Sequence, residues 1–309
     1  MFYIGYEPDV GGIGDFIYIL FGAFCWCKKY NVEMGICIPA HPLNKCINCI
    51  KEEPEGARII RCITKTNVSC VLTDEIARHR GGGGEAADVV VYSNMNDYLH
   101  IYLEYMSHSL KKVLLEEFRR DVLKYTDFIE ERIYDFISHN NSFDTHFSSE
   151  QPQQQEYFAI HLRCGDRYLR TDSGLGTDSG NNSNSSSRCN SRGAAGEKRI
   201  KNIDIAARVE AAAEYFRTGA VGAQIYFFCD NQKLREQYAQ KYGFLYLPTK
   251  IIHIADAVAD APTAAAAAVI DSFCEFVILS RAKCVVALTK SNFSYVSSLI
   301  GGAEYVYIT

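Results

Sequence analysis

The stretch YFAIHLRCGDRYL, residues 157–169, decides how this chain is read. Residues 157–162 are apolar almost throughout, which is the composition of a strand buried on both faces of a parallel sheet. The run then breaks into Arg163, Cys164, Gly165, Asp166 and Arg167. Parallel sheets bind ligands just beyond the carboxyl ends of their strands, so charge at that point has a physical use. Taken alone, the residues allow two readings: an exposed ion pair in a turn, or a place built to hold an anion.

Downstream of this strand the sequence alternates. Helical periodicity over 203–217 is followed by a strand at 223–230 (AQIYFFCD), a helix at 232–242 and a strand at 244–248. An alanine-rich helix over 263–281, a strand at 283–289, a short helix near 293–299 and a strand at 304–308 complete the chain. Strands alternating with helices predict an α/β fold with a parallel sheet covered on both faces. Upstream, residues 2–6 read as a strand, DVGGIGD (9–15) as a glycine-rich turn and 16–30 as a helix. Further strands are expected at 34–39, 58–63, 69–73 and 88–93, and a charged helical region over 97–139. Residues 140–156, which include SSEQPQQQE, have the composition of a linker. They predict one α/β domain over 1–148, with the helical region as an insertion, and a second over 156–309. The Gly/Ser/Asn-rich tract at 171–198 has too little apolar surface to order itself and is expected to be a disordered loop.

Composition narrows the function. A chain of 309 residues with 48% hydrophobic and 22% charged residues has a real core. A net charge of -5 excludes a general basic surface, so no nucleic-acid partner is expected and an anion site has to be local. The first residues lack a basic n-region followed by an apolar h-region, and the apolar run 13–26 is interrupted by Asp15 and Gly22. No membrane span and a cytoplasmic location are therefore expected. Of the 12 cysteines, Cys46 and Cys49 form a CxxC without a second pair at zinc spacing, and Cys37, Cys229, Cys274 and Cys284 lie in apolar runs. Buried free thiols are expected.

Four segments could carry chemistry. In GGIGDF (11–16), Gly11, Gly12 and Gly14 let the backbone approach a ligand at the start of a helix, although a plain tight turn has the same composition. In HLRCGD (161–166), Arg163 is suited to bidentate pairing with phosphate oxygens, and Asp166 could fix it or take a proton. Asp230 ends the strand YFFCD and could meet sugar hydroxyls or cap the next helix. Asp271 lies in an apolar helix where an unpaired acid is expensive, although Glu275 one turn on leaves open a simple wet face. Ser291 and Ser294 follow a buried strand and begin a helix, as phosphate donors or as plain caps.

In this order the segments resemble the fucosyltransferase superfamily that includes the α1,2-, α1,6- and protein O-fucosyltransferases. The match rests on the glycine loop GGIGDF, the His-x-Arg strand end HLRCGD, the acid-ended strand FFCD and the run DSFCEFVILSRAKCVVALTKSNFS. It covers residues 1–16 and most of 157–300. The resemblance implies a GT-B fold, two Rossmann-like domains facing a cleft, with the nucleotide held by the second. It implies inverting, metal-independent transfer of a sugar, most simply fucose from GDP-fucose, to a glycan or glycoprotein hydroxyl, with no cofactor. Arg163 would meet the donor β-phosphate, and His161 and Asp271 the nucleotide. Asp230 would lie at the donor, and Ser291, Asn292, Phe293 and Ser294 would line the phosphate and sugar pocket. Two departures matter. Cys164 stands where many members carry a second arginine, and Asp15 stands where the α1,2 enzymes have asparagine. Asp15, with Asp166 in reserve, is nominated as the base that an inverting enzyme uses on its acceptor. A sugar-nucleotide-binding protein without activity, or the same fold with another sugar nucleotide, are the competing readings.

Overall fold

The computed structural model describes residues 1–5, 12–39, 41–50, 52–62, 74, 77, 88–93, 106–140, 156–164, 204–219, 222–249 and 262–308. Gly11, Asp166, the strand expected at 69–73, the start of the helical region and the tract 171–198 lie outside the described residues.

The first sheet is built from β1 (Phe2–Gly5), β2 (Met34–Ile36), β3 (Arg58–Cys62) and β4 (Val89–Ser93). Its order is β2-β1-β4-β3 and every neighbouring pair is parallel. Helix α1 (Ile13–Tyr30) follows β1, and α2 (His108–Asp121) and α3 (Asp127–Asn140) close this half. The second sheet contains β5 (Tyr157–Leu162), β6 (Gln224–Cys229), β7 (Cys284–Ala287) and β8 (Glu304–Tyr307). Its order is β6-β5-β7-β8, again all parallel, with α4 (Ile205–Gly219), α5 (Gln232–Tyr242), α6 (Pro262–Arg281) and α7 (Asn292–Gly301) between the strands. The chain leaves β5 for β6 on one side and returns to β7 on the other. The crevice between the carboxyl ends of β5 and β7 is therefore a topological switch point, the place where such sheets bind ligands.

Two sequence expectations are refined here. Residues 244–248 make a single parallel bridge, Leu245 to Tyr226, and no strand. Helix α1 begins at Ile13, not at residue 16, because Asp15 at its third position accepts the Gly12 N–H at 3.2 Å and starts the helix early. Gly14 thus lies inside the first turn.

Helix α1 is apolar all round, with Phe16, Ile17, Leu20, Phe21 and Ala23 fully buried, the signature of an interior helix. It packs on α2, α6 and α7. One apolar cluster contains Phe2, Phe16 and Phe21 from the first half together with Phe273, Phe276 and Val296 from the second. The halves expected from the linker composition thus share a core. A second cluster, with Ile160, Phe216, Phe227 and Val286, covers the other face of the second sheet. Ion pairs cross between the halves from Arg132 to Asp271 and from Arg281 to Glu130. Nine cysteines with described side chains are free thiols and eight are buried, all but Cys49. No described helix is long and apolar enough to cross a membrane.

Gly14 marks where α1 meets α7. A Cβ on Gly14 would lie 2.7 Å from both the backbone nitrogen and Cα of Phe293. Gly14→Ala is expected to cost about 1–3 kcal/mol, because a helix and not a flexible side chain has to move. Chemical denaturation checks this, and wild-type stability would contradict the contact.

Candidate active site

At the switch point the chain builds its charged centre on strand ends. Arg163 directly follows β5, and its side chain is 46% exposed. Its Nε lies 3.1 Å from Asp230 Oδ2, and the other Asp230 oxygen accepts the Cys164 N–H at 2.6 Å. Asp230 therefore ties the end of β6 to the end of β5 and aims the guanidinium. It does not cap α5: Asn231 does, accepting the Leu234 N–H at 3.0 Å.

His161 lies two residues earlier, only 5% exposed, with its ring stacked on Phe293 at 5.7 Å between centroids. Its Nδ1 is buried without a hydrogen-bond partner among the described residues. Burial, aided by the Arg163 charge and opposed by Asp230, lowers its pKa to about 4, so the ring is neutral at neutral pH. Cys164 points the other way. It is 3% exposed within the second core, and its Sγ lies 3.7 Å from Cys229 Sγ. That contact, with burial, pushes the Cys229 thiol far up. Position 164 thus faces the core, and Arg163 is left as the half-exposed cation of the HLRC segment. Cys164, Cys229 and Asp230 place three ligand-type atoms within 4.8 Å of one another, but both oxygens of Asp230 are already engaged.

The first turns of α1 and α7 meet beside this centre. Ser291 is the N-cap of α7 but makes no side-chain cap bond, which leaves first-turn N–H groups of α7 without a side-chain acceptor among the described residues. Asn292 Nδ2 donates to Asp15 Oδ1 at 2.7 Å, joining the two helix starts. Phe293 links the parts, touching His161 on one side and the Gly14 backbone on the other. Ser294 is fully buried and donates to Ser291 O at 3.3 Å. Arg163, His161, Asp230, Asp15, Gly12, Gly14 and the segment Ser291–Ser294 are thus brought to one region. Asp271 is turned toward α3, where Arg132 binds it in an ion pair that leaves the carboxylate 14% exposed.

Two features escaped the sequence reading. Thr289, two residues past β7, contacts the Arg163 backbone through its hydroxyl. Glu275, for which a wet face was one open reading, is 13% exposed and takes a 2.7 Å bond from Thr249 Oγ1 and a 3.3 Å contact from Arg235. Burial pushes its carboxyl up to about 7, opposed by Thr249 and Arg235. The signal available was two acids one turn apart on a helix too apolar to be a solvated face.

These two groups give opposite pH dependences. The folded pKa of His161 is below its ordinary 6.5, so its contribution to stability is present above 6.5 and is lost as pH falls toward 4. The folded pKa of Glu275 is above its ordinary 4.5, so its contribution is present below 4.5 and is lost as pH rises toward 7. Relative to wild type, His161→Gln is expected to gain up to about 3 kcal/mol between pH 6.5 and 4, and Glu275→Gln a similar amount between pH 4.5 and 7. Denaturation across that range reads both, and pH-independent differences would contradict the assignments.

Two all-parallel sheets layered with helices, the second carrying a charged centre at its strand ends, are the arrangement of a GT-B architecture. No family model matches this chain, and no curated protein matches it in sequence. Among solved structures it is similar to POFUT1 in complex with GDP, with a TM-score of 0.52 and 13% identity over 99% of this chain and 97% of that one. It is also similar to fucosyltransferase NodZ from Bradyrhizobium, with a TM-score of 0.49 and 12% identity over 97% and 91%. A variant of Arabidopsis thaliana FUT1 in complex with GDP gives 0.47 and 9% over 99% and 69%. At 13% identity the POFUT1 likeness establishes the fold.

Proposed function

We propose that this chain is an inverting, metal-independent glycosyltransferase that moves a sugar, most simply fucose from GDP-fucose, onto a glycan or glycoprotein hydroxyl. The observation that carries the reading is Arg163, held at the switch point of the second sheet by Asp230 beside the start of α7, which has no side-chain cap among the described residues. A sugar nucleotide leaves as a diphosphate, and fixed donors aimed at the growing charge are usually the largest catalytic contribution. The guanidinium and the helix-end N–H groups supply such donors. Neutral His161 and Phe293 form the wall behind them. Asp15 is the candidate base for the acceptor hydroxyl, and its two oxygens now hold Gly12 and Asn292. Base catalysis from Asp15 requires the Asn292 contact to yield to the acceptor. The fold shared with a protein solved in complex with GDP supports a guanine nucleotide.

The test is incubation with a panel of GDP-, UDP- and TDP-sugars, following release of the nucleoside diphosphate with and without EDTA. Release from GDP-fucose that survives EDTA, with the transferred sugar inverted, is the expected result. Binding without release from any donor would favour a sugar-nucleotide-binding protein without activity.

A further inference from the structure

The hydrogen-bond ladder between β5 and β7 does not simply run out at Arg163. His161 faces Ala287 in register, and the Leu288 N–H donates to His161 O at 2.9 Å. A parallel ladder continued one step would send the Arg163 N–H to Leu288 O and the Lys290 N–H to Arg163 O. Both Arg163 groups go instead to one atom. The Arg163 N–H donates to Thr289 Oγ1 at 2.8 Å, and the same hydroxyl donates to Arg163 O at 3.1 Å. The carbonyl this releases, Leu288 O, accepts from Arg208 Nη1 at 2.5 Å.

Each replacement has a cost that a plain strand end would avoid. Thr289 is only 6% exposed, and its hydroxyl both donates and accepts here. Arg208 lies in the first turn of α4, after Asp204 has bonded the Ala207 N–H at 3.0 Å, and a cation there opposes the helix dipole. The gain is a fixed opening. The strands part at the switch point, and Arg163 is anchored twice, by backbone to Thr289 and by Nε to Asp230.

We propose that Thr289 is a positioning residue for Arg163, substituting its hydroxyl for two ladder bonds so that the strands open, with Arg208 holding the released carbonyl. This rests on the reading of Arg163 as a diphosphate ligand. Misplacing a catalytic group by about an ångström costs on the order of 10²-fold. Thr289→Val, nearly equal in shape, is therefore expected to lower kcat for sugar-nucleotide turnover by about 10²-fold, with donor KM changed far less. Thr289→Ser, which keeps the hydroxyl, should recover most of the loss, and Arg208→Met should lose part of it. Hydrogen exchange at the Arg163 amide is followed in each protein. It should be slow in wild type and Thr289→Ser and fast in Thr289→Val.

Wild-type kcat in Thr289→Val, or a Thr289→Ser variant as impaired as Thr289→Val, would overturn the proposal. If Thr289→Val does not fold, Thr289→Ser and Arg208→Met decide: full activity in Arg208→Met together with a crippled Thr289→Ser overturns it. If wild type turns over no sugar nucleotide and does not bind GDP, the transferase reading fails by itself. The amide then decides the positioning claim, since an unprotected Arg163 amide in wild type refutes the ladder substitution.

Discussion

Arg163→Ala is expected to reduce sugar-nucleotide turnover by about 10³-fold, near the upper range for loss of one donor that stabilises transition-state charge. The reason lies in what the side chain does and does not hold together. Its ion pair with Asp230 uses Nε, and the side chain is 46% exposed, so the pair adds under about 1 kcal/mol to stability. The Asp230 carboxylate keeps the Cys164 N–H as a partner after the substitution. Folding should therefore survive while the charge at the switch point is gone. Arg163→Lys tests the geometry: an ammonium keeps the charge and loses the planar fork, so only partial activity should return. Circular dichroism and turnover on the same preparations separate the two effects.

Gly301→Ala is expected to be the most destabilising single methyl among the described glycines. A Cβ there would lie 1.5 Å from Ser280 O and 2.8 Å from Ser280 Cα. Both obstacles are backbone, so α7 can accept the methyl only by leaving α6. Those helices contribute Phe273, Phe276 and Val296 to the core shared by both halves. The loss should reach or exceed the upper end of the roughly 1–3 kcal/mol typical of overpacking. Displacing α7 also moves Ser291 and Asn292, so affinity for nucleotide should fall with stability. Gly219→Ala, whose added methyl meets nothing within 4 Å, is the control and should leave both unchanged. Equal denaturation midpoints for the two variants would contradict the packing.

The sequence made the second half legible because its periodicities are clean. Helix 232–242 matches α5 residue for residue, and the strands around Phe227 and Val286 differ from expectation only at their ends. Arg163, His161 and Asp230 were readable because charge directly after an apolar strand has few other uses. The shared core was not legible, since SSEQPQQQE reads as a linker whether or not α6 and α7 pack across it. The orientation of Cys164 was also hidden: a residue two past a strand can face solvent or core, and its contact with Cys229 settles which. Thr289 could not be singled out from spacing, because its role depends on where one ladder stops in space.

The central claim is that Arg163 holds the diphosphate of a guanine nucleotide. Thermal unfolding of wild type and Arg163→Ala with GDP, UDP and TDP tests it most directly. GDP should raise the unfolding temperature of wild type well above the effect of UDP or TDP, and the rise should vanish in Arg163→Ala. No shift with any nucleotide, or an equal GDP shift in Arg163→Ala, would contradict the claim.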